Sequence, residues 1–296
     1  MQDINLTNIT LDRLSLPLFT AKNIELSVLR LDKIHPVISG NKWFKLRYYL
    51  EDAKQLHKKK IVTFGGAWSN HIIATAAACR LNGFAATGII RGEEAAELSP
   101  TLKLAKAMGM QLIFTSREDY SRKNIPEEII RDDTYFISEG GFGIKGAAGA
   151  ATMLDGVEKE NYSHICCAAG TGTMTAGLVQ ASGAKNKILA ISVLKNNFEI
   201  EQQVKSLLPG NEMKFDIVHE YHFGGYAKYK PGLIQFMNEF YRLTSIPSDF
   251  VYTGKLFYAI NDLVTASYFP SGSRLLLIHS GGLQGNVSLG KGTLIF

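Results

Sequence analysis

Two lysines one helical turn apart open the stretch of this chain best suited to chemistry. Ser39-Gly40-Asn41-Lys42-Trp43-Phe44-Lys45 begins as a flexible turn. Apolar residues then recur at 43, 46, 49, 50, 53 and 56, a near-helical period that predicts a helix from Lys42 to about His57. Lys42 falls in its first turn, where unpaired N–H groups create positive potential. A cation costs stability there, and Lys45 adds a second on the same side. Crowding, helix potential and burial each lower a lysine's pKa, and the resulting free amine is what Schiff-base chemistry needs. The same pair also reads as two solvated surface charges, and on this stretch alone that reading wins.

Two further loops carry usable chemistry. Gly170-Thr171-Gly172-Thr173 is a strand-to-helix turn with two glycines and two hydroxyls. Backbone N–H groups at a helix start, with Thr hydroxyls, suit one phosphate. The turn is not a dinucleotide fingerprint, because Thr175 stands where the third glycine belongs. A tight turn of small residues made for packing explains it equally well. Ser69-Asn70-His71 places a hydroxyl, an amide and an imidazole at a predicted helix start after Gly65-Gly66. One N-cap accounts for a single member of the trio and leaves two over.

The elements that must position these loops alternate. Predicted strands at 24–30, 61–64, 84–90, 111–115, 134–138, 162–169, 187–194 and 274–279 are interleaved with predicted helices. The helices lie at 42–57, 71–83, 100–109, 126–131, 147–160, after Gly177, 232–243 and 254–269. Residues 1–38 are otherwise mixed, and after 195 the texture turns aromatic and loop-rich. This α/β alternation implies parallel sheets with ligands at the carboxyl ends of the strands, where each Gly-rich loop falls.

Composition narrows the function classes. The 296 residues are 46% apolar and 20% charged, ordinary for a globular protein with one large or two smaller cores. A formal charge of +5 is small, and no basic run alternates with aromatics, so nucleic acid is not an expected partner. Lys58-Lys59-Lys60 reads as the solvated end of a helix. Of three cysteines, Cys79 lies in an apolar helix, while Cys166 and Cys167 are strand neighbours pointing to opposite faces. No metal-ligand spacing, signal peptide or membrane-length apolar run is visible, and a reducing cytoplasmic compartment is the expectation.

Four motifs occur in one order: Ser39-Gly40-Asn41-Lys42-x-x-Lys45-Leu46, Gly65-Gly66-x-x-Ser69-Asn70-His71, Gly170-Thr171-Gly172-Thr173-x-x-Ala176-Gly177 and Tyr252-Thr253-Gly254-Lys255. Together they resemble the pyridoxal-phosphate enzymes of the 1-aminocyclopropane-1-carboxylate deaminase and D-cysteine desulfhydrase family, over about residues 35–285. The resemblance implies a tryptophan-synthase-β-like α/β fold of two parallel-sheet domains with the cofactor in the cleft between them. The large domain would comprise 1–45 and 151–296, and the small inserted domain 46–150. Lys42 would bind pyridoxal phosphate covalently through its amine. Lys45 and the backbone of Thr171, Gly172, Thr173 and Met174 would hold the phosphate, and Asn70 the ring hydroxyl. Ser69 would lie over a small amino-acid substrate as nucleophile or proton shuttle, with Asn70 and His71 among the substrate contacts. Tyr226 and Tyr252 would be the two active-site tyrosines, and a homodimer is implied.

Thr253 would face the ring nitrogen, where the cyclopropane-opening deaminases carry glutamate. A threonine hydroxyl donating there would leave the nitrogen neutral, enough for β-elimination and less suited to ring opening. Thr253 can also be the N-cap of the helix that follows. The resulting expectation is α,β-elimination from D-cysteine to an α-keto acid and ammonia. The alternatives are aminocyclopropane-carboxylate deamination in the same site and a cofactor-free small-anion binding protein. A nicotinamide dehydrogenase is disfavoured by the broken fingerprint.

Overall fold

The computed structural model describes residues 3–210 and 215–296. The chain begins with β1 (Thr10–Leu14), α1 (Pro17–Ala21) and β2 (Glu25–Arg30). Helix α2 (Asn41–Gln55) leads to β3 (Lys60–Gly65), α3 (Asn70–Asn82), β4 (Ala85–Arg91) and α4 (Pro100–Ala107). Then come β5 (Met110–Thr115), α5 (Arg117–Arg122) and β6 (Thr134–Ile137). Strands β3 to β6 form a wholly parallel sheet in the order β5-β4-β3-β6. Beyond it lie α6 (Ile144–Ala151), β7 (His164–Ala169), α7 (Thr173–Ala181), β8 (Lys187–Ser192) and α8 (Ile200–Ser206). The described chain closes with β9 (Phe215–Val218), α9 (Pro231–Thr244), α10 (Thr253–Thr265) and β10 (Arg274–His279). The second sheet runs β1-β2-β10-β7-β8-β9 and is parallel except for β1.

Both faces of the six-stranded sheet are covered, as a mainly parallel sheet requires. The neighbours Cys166 and Cys167 show the two-residue pleat. Cys167 packs with Ile165, Ala147 of α6 and Leu178 of α7, whereas Cys166 packs on the opposite face with Leu277 and with Leu256 and Ile260 of α10. All three thiols are free and buried. The four-stranded sheet has its own core, in which Ile61 and Ile90 pack against Ile72 and Ala76 of α3 and Leu102 of α4.

Helix α2 joins the two halves. Phe44 is buried in the core of the six-stranded sheet, while Leu46, Tyr49, Leu50 and Ala53 are buried in the other. One helix therefore holds both cores at a fixed distance from its own first turn. Ala147 and Ala150 of α6 also face the six-stranded sheet.

Several elements differ from the sequence pattern. Lys58-Lys59-Lys60 does not end a helix: α2 stops at Gln55, and Lys60 is already the first residue of β3. The stretch expected helical at 126–131 holds a single 3-10 turn, Glu127–Ile129, and the true helix lies earlier, capped by Ser116 accepting from the Asp119 N–H. The helix expected over 147–160 ends at Ala151 and gives way to short 3-10 turns. Strands β1 and β9 are the two edges of the large sheet, where short, half-exposed strands carry little apolar pattern. Among the described residues no helix is long and apolar enough to cross a membrane.

Candidate active site

The carboxyl ends of strands from both sheets open into one cleft of about 410 Å³. The starts of α2, α3, α7 and α10 contribute to its walls through Lys42, Ser69, Gly172 and Tyr252. This is the carboxyl-end geometry expected of parallel sheets.

Helix α2 begins in a way only glycine permits. Gly40 has φ +60°, and a Cβ there would lie 1.9 Å from the Ser280 carbonyl oxygen. Its first turn has no side-chain cap and no acidic residue, so the positive end of the helix is left open. Lys42 stands in that turn, its Nζ donating to Asn41 Oδ1 at 2.9 Å and lying 5.8 Å from the centre of the Tyr252 ring. Desolvation pushes its amine down to about 8, against the pull of Asp249. Lys45 is buried deeper, and burial first, then Lys42, holds its amine well below the usual lysine range. Among the described residues no carboxylate pairs with Lys45.

Ser69 is the N-cap of α3, its hydroxyl accepting from the N–H groups of His71 at 3.2 Å and Ile72 at 3.4 Å. Asn70 and His71 are buried behind it on the cleft wall. The His71 ring has a determinable tautomer. Thr63 Oγ1 donates its one proton to the Ile137 carbonyl at 2.7 Å, and His71 Nε2 lies 2.8 Å from the same oxygen. Nε2 must therefore carry the ring proton and donate it to Thr63. Nδ1 is left as a bare acceptor, buried and without a partner among the described residues. Burial, then Lys42 and Lys45, pushes this imidazole down to about 3, so the ring is neutral.

At the far side, Gly172 caps α7 with φ +74° and no acidic residue follows in the first turn. The Thr171 and Thr173 hydroxyls lie 3.1 Å apart; Thr171 and Gly172 line the cleft while Thr173 is fully buried behind them. Met174 Sδ accepts from Asn41 Nδ2 at 3.2 Å, tying the start of α7 to the start of α2. The rings of Tyr252 and Tyr226 stand edge to face at 6.4 Å. Burial raises both phenols, Tyr252 far above its ordinary value, so both stay protonated at neutral pH.

Thr253 departs from the expectation. It is fully buried and is absent from the cleft wall. Its hydroxyl accepts from the Asp249 N–H at 2.8 Å and donates to Asp249 Oδ1 at 2.7 Å. With its proton committed, the hydroxyl has none to donate to a ring nitrogen. Nor is Thr253 the N-cap, a position that Tyr252 occupies without a side-chain cap. The carboxylate of Asp249 does that work, accepting from the N–H groups of Val251, Tyr252 and Thr253. An acidic residue just before a helix start is a capping signal that points to Asp249 from sequence alone. Lys255 was likewise silent: its ammonium is enclosed by the carbonyls of His222 and Gly225 at 2.8 Å and Val193 at 3.5 Å, so it fixes the loop that carries Tyr226. Arg91 and Glu139 also line the cleft, and no local motif marks either.

Residues 9–281 match the profile of the pyridoxal-phosphate dependent enzymes. The chain belongs to that family. It is 28% identical to a putative 1-aminocyclopropane-1-carboxylate deaminase of Pyrococcus horikoshii, covering 86% of this chain and 83% of that one. It is also 28% identical to a bifunctional D-cysteine desulfhydrase/1-aminocyclopropane-1-carboxylate deaminase of Arabidopsis thaliana, over 88% of this chain and 73% of that one. The crystal structure of an ACC deaminase homologue superposes with a TM-score of 0.80 at 26% identity, covering 94% and 90% of the two chains.

The cleft of this pyridoxal-phosphate enzyme fits its cofactor. Lys45 is a buried amine with no counter-charge to hold its proton, and it lines the same cleft as an uncapped helix start and the Thr171-Gly172 turn. A phosphate supplies the missing anion. Lys42, with its amine near 8, has a free-base fraction at neutral pH to take a carbonyl.

Proposed function

We propose that this enzyme is a deaminating lyase acting on a small amino acid with a leaving group at the β-carbon, D-cysteine first. The observation that carries the reading is Lys42: an amine lowered to about 8, at an unopposed helix start, facing Tyr252 and sharing a wall with Ser69 and Asn70. Lys42 would hold the cofactor's carbonyl carbon, Lys45 with the backbone of Thr171 to Met174 its phosphate, and Asn70 its ring hydroxyl. Bound pyridoxal phosphate supplies an electron sink for charge developing at the substrate α-carbon. The Ser69 hydroxyl, which caps α3 on the cleft wall, would donate its proton to the substrate carboxylate. Lys42 Nζ and Ser69 Oγ, both on the cleft wall, would take and return the α-proton. The protonated phenols of Tyr226 and Tyr252 can donate to the departing group but not act as bases at neutral pH. As the carbon–sulfur bond breaks, its electron pair leaves with sulfur, and the released aminoacrylate hydrolyses to pyruvate and ammonia.

A second reading, opening of 1-aminocyclopropane-1-carboxylate, is favoured by Thr253. Its proton is held by Asp249, so toward a ring nitrogen in front of it the hydroxyl could only accept. That arrangement is compatible with a protonated nitrogen, the stronger electron sink. The smaller domain is proposed as the four-stranded unit within 46–150, with α6 left to the larger one because Ala147 and Ala150 face its sheet. A homodimer in a reducing cytoplasm completes the proposal.

The test is a product panel on the purified holoenzyme: sulfide, pyruvate, 2-oxobutanoate and ammonia from D-cysteine, L-cysteine, chloroalanine, serine and the cyclopropane amino acid. Sulfide and pyruvate from D-cysteine support the first reading, and 2-oxobutanoate from the cyclopropane substrate supports the second. Lys42→Ala should lose both turnover and the cofactor's bound visible absorbance. A Lys42→Ala protein that keeps that absorbance, or a wild-type enzyme inert on the whole panel, overturns the proposal.

A further inference from the structure

The expected role of His71 was contact with substrate, and its geometry points elsewhere. Its one ring proton goes to Thr63, which is itself anchored to Ile137 across the β3–β6 pair, so the ring is nailed to the four-stranded sheet. Its backbone N–H is taken by the Ser69 hydroxyl. The side chain has nothing left to donate to a carboxylate. What remains is the Nδ1 lone pair, buried on the wall of a cleft built for anions. A buried bare acceptor is costly until a donor meets it.

Lys45, on the wall of the same cleft, is the candidate donor. Gly141 packs between the two side chains: a Cβ built there would lie 3.2 Å from Lys45 Cβ and 3.8 Å from both Lys45 Cδ and His71 Cε1. The Lys45 stem and the imidazole edge at Cε1 therefore flank the same glycine, and the Lys45 amine is close enough to His71 to act on its charge. Lys42 is engaged elsewhere, on Asn41.

We propose that His71 is a fixed hydrogen-bond acceptor that aims the Lys45 ammonium at a phosphate seated on the Gly170–Thr173 turn. An ammonium has three protons and directs itself poorly. With Nδ1 taking one of them, the others are turned toward the anion. His71 is thus a positioning residue for cofactor capture. The inference rests on the pyridoxal-phosphate reading of the cleft.

Two variants separate this role from a structural one. His71→Asn places Oδ1 where Nδ1 stands, both two bonds from Cβ, and abandons Thr63. His71→Gln reaches toward the Nε2 position and keeps the Thr63 link. The readout is the dissociation constant of pyridoxal phosphate for the apoenzyme, followed by cofactor absorbance. His71→Gln should weaken binding about tenfold, the size of one hydrogen bond to a charged group, while His71→Asn stays within about threefold of wild type. The reverse order, or equal effects in both variants, overturns the proposal. Long-range proton–nitrogen correlations on histidine-labelled holoenzyme give a second measurement, independent of variant folding. They should show the His71 proton on Nε2, and a proton on Nδ1 would refute the role outright. A wild-type apoenzyme that takes up no pyridoxal phosphate would instead overturn the cofactor reading, and the nitrogen spectrum would still decide His71.

Discussion

The tautomer lock on His71 has a thermodynamic consequence that can be measured away from catalysis. In the folded protein its pKa is about 3, against 6.5 for the free side chain, because burial and the facing ammonium groups of Lys42 and Lys45 oppose a further charge. Between those two values the unfolded chain binds a proton at this residue that the folded chain refuses. Stability is therefore intact above pH 6.5 and is lost as pH falls toward 3. At 1.36 kcal/mol per unit, lowering the pH from 7 to 5 removes about 2 kcal/mol through this one residue. His71→Asn lacks the group and escapes that loss. Other titrating residues, His279 among them, act alike in both proteins and cancel in the difference. The assay is urea unfolding of wild type and His71→Asn at pH 7, 6 and 5, with pyridoxal phosphate saturating. The stability gap between them should move by about 2 kcal/mol in favour of the variant as the pH falls. Parallel pH profiles would show that His71 protonates freely in the fold, and the bond accounting through Thr63 would be wrong.

Other perturbations follow from single contacts. Lys255→Met keeps the volume of the stem but strips donors from the carbonyls of His222, Gly225 and Val193. Stranding those carbonyls should cost on the order of 2–3 kcal/mol in urea unfolding and raise KM more than it lowers kcat, since Tyr226 loses its anchor. Asp249→Asn removes the charge that holds the Lys42 amine up. The midpoint for amine-directed labelling of Lys42 in the apoenzyme should then fall by about one pH unit, and an unchanged midpoint would sever the two residues. Gly172→Ala adds a methyl 2.8 Å from Val204 Cγ2 at φ +74°. Strain of about 1–2 kcal/mol should appear as a lower unfolding midpoint and roughly tenfold weaker cofactor binding.

The alternation of strands and helices was legible because each element of a parallel sheet is either a short apolar run or an amphipathic repeat bounded by glycine. The turn before Lys42, the cap at Ser69 and the turn at Gly172 all sit where their residue types place them. What stayed hidden depends on partners distant in the chain. Lys42 and Lys45 read better as surface charges until Phe44 and Leu46 are seen buried in two different cores on either side of the same helix. His71 is an ordinary histidine until Thr63 and Ile137 fix its proton. Thr253 reads as a cap or a cofactor donor, and only the Asp249 carboxylate four residues earlier shows that it can be neither. Edge strands β1 and β9 escape for another reason: half their surface faces water and their composition carries no period.

The distribution of acidic residues argues for what the cleft must hold. Helix starts normally gather aspartate and glutamate, which offset the positive end of the macrodipole. The first turns of α2, α3, α7 and α10, all of which reach this cleft, contain none. Two lysines are added to the same space, one of them buried without a counter-charge. Two carboxylates do approach: Glu139 lines the cleft and is paired with Lys123 at 3.2 Å, and the oxygens of Asp249 are taken by the N–H groups of Val251, Tyr252 and Thr253 and by the Thr253 hydroxyl. A fold that left this potential uncompensated would lose stability with no return. The compensation comes from the ligand, because a phosphate and a substrate carboxylate both carry the charge that the chain omits. Anion binding should therefore raise the stability of the whole protein by mass action, by about 2.7 kcal/mol at a hundredfold excess over Kd. Inorganic phosphate alone, added to the apoenzyme, should raise its unfolding midpoint, whereas chloride at equal ionic strength should not. Equal effects of the two salts would mean that the cleft's positive potential is screened by solvent, and the electrostatic argument for a phosphate-binding site would fall with it.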